Sequence, residues 1–220
     1  MIRKLLVALA ALAASACSYG SMVDIAPMNL RISKPVVAAG DYCAAKGLEA
    51  PFYVISSEDC APVLWQADTL TYLMVDPEDA KDSLQAAVVS LGSNLYAAQI
   101  ETPEEKDRYQ IHLIIAKGNA FTLLSALADE PLKKLAAKHA KLTFTNDASG
   151  RPYIATGSVG SIRAFLREAA IESLREMKKK DEMFSVGVLD KSGEPDHPGS
   201  EQQAKDIEAV MKIAEALTPH

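Results

Sequence analysis

Apolar residues recur at two different spacings along this chain, and each change of spacing marks an element boundary. The segments PFYVIS from Pro51 and TLTYLMV from Thr69 to Val75 are rich in aromatic and β-branched residues, which predicts strands. Asp76-Pro77-Glu78-Asp79 then has the chemistry of a helix start: a capping carboxylate, a proline suited to the first helical position, and two acids that complement the dipole. Ala80, Leu84, Ala87, Val88 and Leu91 follow as a stripe at 3.6 spacing, with Gly92 placed to end the helix. LYAAQIE from Leu95 and RYQIHLIIA from Arg108 predict two more strands joined by the polar loop TPEEKD. In the second, Tyr109, Ile111, Leu113 and Ile115 share one face, and Gln110 and His112 fall on the other.

A helix is predicted from about Asn119 to Ala128, and Asp129-Glu130-Pro131 opens another that reaches about Ala140. LTFT from Leu142 and PYIAT from Pro152 flank Asn146-Asp147-Ala148-Ser149-Gly150, which reads as a hairpin. Ile162, Phe165, Leu166, Ala169, Leu174 and Met177 then line one side of a long helix with Lys178, Lys179 and Lys180 at its C-terminal end. Phe184 to Leu189 predicts a strand, and Lys191 to Gly199 a loop. Ser200 with Gln203 forms a capping box for a last helix bearing Ile207, Val210, Met211, Ala214 and Leu217.

Hairpins dominate this order, so the expected class is α+β: a largely antiparallel sheet with helices packed on one face. Strand, strand, helix, strand is expected at 51–101 and again at 142–189, which suggests a duplicated unit. The organisation expected is 1–16 as a removed segment, 17–35 as a tether able to dock in part, 36–190 as the α+β domain, and 191–220 as a loop and helix on or near it.

The first residues, MIRKLLVALAALAASAC, place Arg3 and Lys4 before an apolar run from Leu5 to Ala14 and then small residues. This is the plan of a secretory signal. Ten apolar residues in a helix cover about 15 Å, roughly half of the hydrocarbon thickness, too little for a permanent span. Ala14-Ser15-Ala16-Cys17 resembles the lipobox of bacterial lipoproteins, with Ala14 where that family most often has Leu. The resemblance covers 17 residues. It implies that Cys17 carries lipid and becomes the mature N-terminus, and that Ser18 after it favours sorting to the outer membrane, facing the periplasm.

Of the three cysteines, Cys43 and Cys60 then remain for an oxidising compartment, and a disulfide between them is expected. It would close a loop of about 18 residues and stabilise the fold by roughly 3 kcal/mol on a chain-entropy basis. A redox role lacks a C-x-x-C spacing, and Asp41, Glu58 and Asp59 disfavour a thiolate.

The chain carries 23 Lys plus Arg against 29 Asp plus Glu, a net charge of −6, which excludes a general nucleic-acid binder. Loss of Arg3 and Lys4 leaves 21 cations against 29 anions, so a mature charge of −8 is repelled by anionic headgroups.

No G-x-S-x-G, H-E-x-x-H, Walker or calcium-loop pattern is present. His112 is a candidate base, though a surface or hydrogen-bonded sheet histidine explains it as well; His139 ends a Lys-rich helix, and His197 and His220 lie in loop and tail. Thr156-Gly157-Ser158-Val159-Gly160-Ser161 before Arg163 and Arg167 resembles an anion site at a helix start. An ordinary cap by Ser158 or Ser161 accounts for the same residues. Glu58-Asp59 reads as a solvated turn, and Trp65, the one tryptophan, as core or as the wall of a ligand groove.

The expectation is therefore a lipid-anchored envelope protein, held in the membrane by its N-terminal lipid, that binds an envelope protein or a small ligand. No metal or cofactor is called for by these residues. An envelope hydrolase and a structural lipoprotein are the alternatives.

Overall fold

Ser93 and Asn94 both take left-handed backbone, φ 57° and 58°, after Gly92 at φ 90°. Two consecutive left-handed residues are what a two-residue hairpin turn requires, because their twist matches that of the flanking strands. Here they join β5 (Leu84–Gly92) to β6 (Leu95–Glu101). Gly118, at φ 61°, supplies the same bend between β7 (Tyr109–Lys117) and β8 (Ala120–Leu124), where Lys117 pairs with Ala120. The computed structural model describes residues 18–44, 61–75, 83–101, 108–118, 120–146, 152–179, 186–189 and 201–218.

The other strands are β1 (Tyr19–Ser21), β2 (Gly40–Ala44), β3 (Ala61–Gln66), β4 (Thr71–Met74), β9 (Thr143–Asn146), β10 (Pro152–Thr156) and β11 (Val186–Leu189). Strands β2 to β8 pair each with the next, all antiparallel, and β11 pairs with both β8 and β2. Eight strands thus close on themselves as an up-and-down barrel. The second edge of β7 divides: Leu113 to Lys117 pair with β8, and Tyr109 to Ile111 pair with β1. From β1 the sheet continues through a parallel pairing to β10 and an antiparallel one to β9. The α+β class and the mostly antiparallel sheet are as the sequence predicts.

Three helices, α1 (Asp129–Lys138), α2 (Val159–Lys179) and α3 (Glu201–Leu217), pack on the outer face at β5, β7, β8, β10 and β11. Phe165, Leu166 and Ala169 of α2, Leu132 of α1 and Val210 of α3 share one buried cluster with Val89, Leu95, Ile111, Leu113 and Ile115 of the wall. The C-terminal helix is therefore packed on the domain. Alternate residues of the same strands, Val63, Tyr72, Ala86, Val88, Ile100 and Ala116, form a second cluster inside the barrel.

Several expectations are corrected. The helix expected through Ala80 to Leu91 is, over its described part, β5. Ala86, Ala87, Val88 and Val89 are all buried because helices cover one face and the lumen the other. A strand buried on both faces carries no alternation, and its apolar run fits a helical stripe equally well. Likewise the helix expected over 119–128 is replaced by β8 and an extended segment. With a strand at 84–92, the two halves no longer share an order, so the duplicated unit is not present. The predicted strand at Pro51, the Asp76–Asp79 helix start and the 191–199 loop lie outside the described residues.

Residues 18–35 are part of the body, not a tether. Tyr19 is buried, its ring meets Phe165 edge-on at 6.3 Å, and its hydroxyl accepts the Leu127 amide at 3.0 Å. Gly20 is required beneath Tyr153, since a Cβ there would lie 2.0 Å from the ring. Gln99 holds the following turn, accepting from the Ile25 amide and donating to Asp24, each at 2.8 Å.

Candidate functional site

Closure of the barrel converts one face of every strand into an inner wall. Trp65 and Val63 of β3 face inward beside Tyr72 and Met74 of β4; the indole and phenol rings meet edge-on at 5.0 Å. By the pleat, the β5 side chains on this wall are Leu84, Ala86, Val88 and Ser90, and those of β6 are Tyr96, Ala98 and Ile100. On β7 they are Gln110, His112, Ile114 and Ala116, with Phe121 and Leu123 on β8. Register sets Val88, Ala98 and His112 side by side across three strands.

Two properties of this wall matter chemically. Among the described inward side chains of β3 to β8 there is no Asp, Glu, Lys or Arg. Trp65, Met74, Leu84, Tyr96, Ala98 and Phe121 are nevertheless partly accessible, and Ala98 is so although its neighbours Val88 and His112 are buried. An eight-stranded barrel is just wide enough to be filled by side chains or to hold one small ligand. The alanines at 86, 98 and 116 leave it less filled than branched residues would.

One end of the barrel is closed by residues 32–38. The Ile32 amide donates to the Val88 carbonyl at 2.9 Å, beyond the last residue of β5 that β4 covers. Ile32, Val36 and Val37 join the inner cluster. The Tyr72 hydroxyl accepts from the Val36 and Val37 amides at 2.7 and 3.1 Å. Burial, only partly offset by these two amides, pushes the Tyr72 phenol above its ordinary value, and burial alone does the same to Tyr96.

His112, read from sequence as a base candidate on the less apolar face, is 1% exposed and lies on the inner wall. It is not a surface histidine: closure of the barrel covers the face on which its strand looked least apolar. Trp65 sits on the same wall, so both its readings, core and groove, meet at one place. His139 ends α1, with Nε2 3.3 Å from a Glu168 carboxylate oxygen and its ring edge-on to Phe165.

The residues before α2 form a cap. The Ser158 hydroxyl accepts from the Ser161 amide at 3.1 Å, and the Arg163 and Arg167 guanidinium groups donate to the Ser90 and Leu91 carbonyls. Those arginines fasten the helix to the end of β5, which displaces the reading of the segment as an anion site. Glu58-Asp59, Cys17, Cys60, His197 and His220 lie outside the described residues; Cys43 lies in β2.

Among the described residues no group of three or more His, Cys, Asp or Glu is arranged to hold a metal, and no helix is long and apolar enough to cross a membrane. Comparison with protein families, with curated proteins and with solved structures yields no match for this chain.

Proposed function

We propose that this chain is a binding module of the bacterial cell envelope, lipid-anchored at Cys17 in the outer membrane, that holds a small apolar ligand inside its barrel. The observation that carries the binding reading is the described inner wall of β3 to β8, free of Asp, Glu, Lys and Arg, on which six apolar or aromatic side chains remain partly accessible. Accessible apolar surface inside a closed barrel is the physical basis of small-ligand sites, because removing it from water drives binding. The lipobox-like Ala14-Ser15-Ala16-Cys17 supports the anchor. With Ser18 buried and Tyr19 already in the sheet, an acyl group on Cys17 holds the body close to the bilayer, without the slack of a tether.

The test uses the mature chain, residues 17–220 with Cys17→Ser, produced without the apolar run Leu5–Ala14, so that it bears no lipid and needs no detergent. N-phenyl-1-naphthylamine added to it gains fluorescence with saturation at one equivalent, and Ala98→Phe, which fills the lumen, removes the gain. A linear, unsaturable response equal in both forms would count against an interior site. Separately, the N-terminal peptide of the wild-type protein from membranes is expected to have the mass of an acylated Cys17, and an unmodified Cys17 there would contradict the anchor.

A further inference from the structure

We infer that the ligand is a single-chain lipid whose hydrocarbon tail lies along the barrel axis. The inference rests on the binding reading above and narrows it to one chemical class.

Three features select a chain over a compact or charged molecule. β7, with nine residues, is among the longest strands of the barrel. At about 3.4 Å per residue and a tilt of 35–45°, the β5–β7 side of the wall runs roughly 23 Å along the axis, and the side built from the four- to six-residue strands β2, β3, β4, β8 and β11 roughly half of that. The lumen of an eight-stranded barrel is narrow, which suits one unbranched chain along the axis better than a broad molecule. The accessible apolar side chains are spread along that length: Leu84 and Met74 pair near one end, Ala98 sits mid-strand, and Tyr96 stands beside the β5–β6 turn at the other.

Charge excludes the other classes. No Asp, Glu, Lys or Arg on the described inner wall of β3 to β8 compensates a charge on the ligand, and burying an uncompensated charge is strongly unfavourable. A phosphorylated or zwitterionic molecule is therefore not held within the wall. A headgroup belongs at the end away from residues 32–38, because the Tyr72 hydroxyl and the Ile32 amide fasten that segment across the other end. Gln110, on the inner wall near the start of β7, is the side chain placed to hydrogen-bond a hydroxyl there.

Trp65 reports occupancy directly, since heavy-atom quenching needs contact and the chain has one tryptophan on the inner wall. The experiment titrates the mature Cys17→Ser chain with a fatty alcohol dibrominated at mid-chain and, in parallel, with N-phenyl-1-naphthylamine. The expected result is quenching of at least half of the Trp65 emission, saturating at one equivalent. Affinity among unbrominated alcohols, read by displacement, rises about fourfold per added methylene until the lumen is full, then levels. If the naphthylamine saturates and the brominated chain leaves Trp65 unchanged, the single-chain class is wrong while the interior site stands. If neither binds, both readings fall. Ala98→Phe weakens the brominated alcohol at least tenfold; should that variant not fold, the chain-length series decides the matter on the unsubstituted wall.

Discussion

The Tyr72 hydroxyl engages both backbone groups of Val37, accepting from its amide at 3.1 Å and donating to its carbonyl at 3.1 Å. One phenol from the inner wall thereby replaces the strand partner that residues 36 and 37 lack, and it fixes the segment that closes one end of the barrel.

Tyr72→Phe leaves the buried Val37 amide and the half-buried Val36 amide without that acceptor. Each unsatisfied group costs about 1–3 kcal/mol, less where water reaches it. The expected outcome is a urea midpoint lowered by about 1–3 kcal/mol in stability with an unchanged slope, and faster amide exchange at Val36 and Val37 than elsewhere.

Alkaline pH acts on the same group. Burial raises the folded-state value of the Tyr72 and Tyr96 phenols above the ordinary 10.0, so between the unfolded and folded values the native state holds more protons. Their contribution is fully present below pH 10 and is lost as pH rises through the folded values. Chemical denaturation is expected to show a fall in stability above about pH 10 that becomes shallower in Tyr72→Phe.

Arg163 and Arg167 test the joint between α2 and the barrel. Their guanidinium groups donate to the Ser90 and Leu91 carbonyls, and a side chain at Gly92 would meet Arg167 at 2.7 Å. Arg163→Ala and Arg167→Ala should each destabilise by about 1.5–3 kcal/mol, with less than additive loss in the double variant because they share one strand end. Phosphate at millimolar concentration should not raise the unfolding temperature of the wild type beyond what chloride at equal ionic strength does.

Cys43 lies in β2, whose residues Gly40, Asp41 and Tyr42 face Val63, Pro62 and Ala61 of β3 in antiparallel order, and Cys60 lies outside the described residues, so the expected bridge is a matter for chemistry. Alkylation of the non-reduced exported chain should leave both unlabelled, and the mass should rise by two labels only after reduction. Labelling without reduction would contradict the bridge.

Much of the element order was legible because most elements carry strong local signals. β6, β7, β10 and α2 fall where alternation, turn residues and the 3.6 stripe put them. The Ser158 cap is local as well. β5 was not legible because both of its faces are covered and Ala86 to Val89 give no period to read, and β8 because four of its five residues, Ala120, Phe121, Leu123 and Leu124, are apolar and hide its alternation. Ser93-Asn94 and Gly118 were available as hairpin signals and were outweighed by the apolar run. The candidate site was hidden for a different reason. Its wall exists only because β11 returns across more than sixty residues to join β8 to β2, and no local pattern encodes that pairing. Gln110 and His112 made one face of β7 look solvated when closure had turned it inward.

A ligand inside the barrel is tested most directly by the nuclear magnetic resonance spectrum of the Cys17→Ser chain during addition of N-phenyl-1-naphthylamine. The prediction is that the Trp65 indole resonance and the methyl groups of Val88 and Ala98 shift together and saturate at one equivalent. Shifts confined to the exposed outer residues Met22, Met28 and Leu64, with Trp65 unmoved, would contradict it.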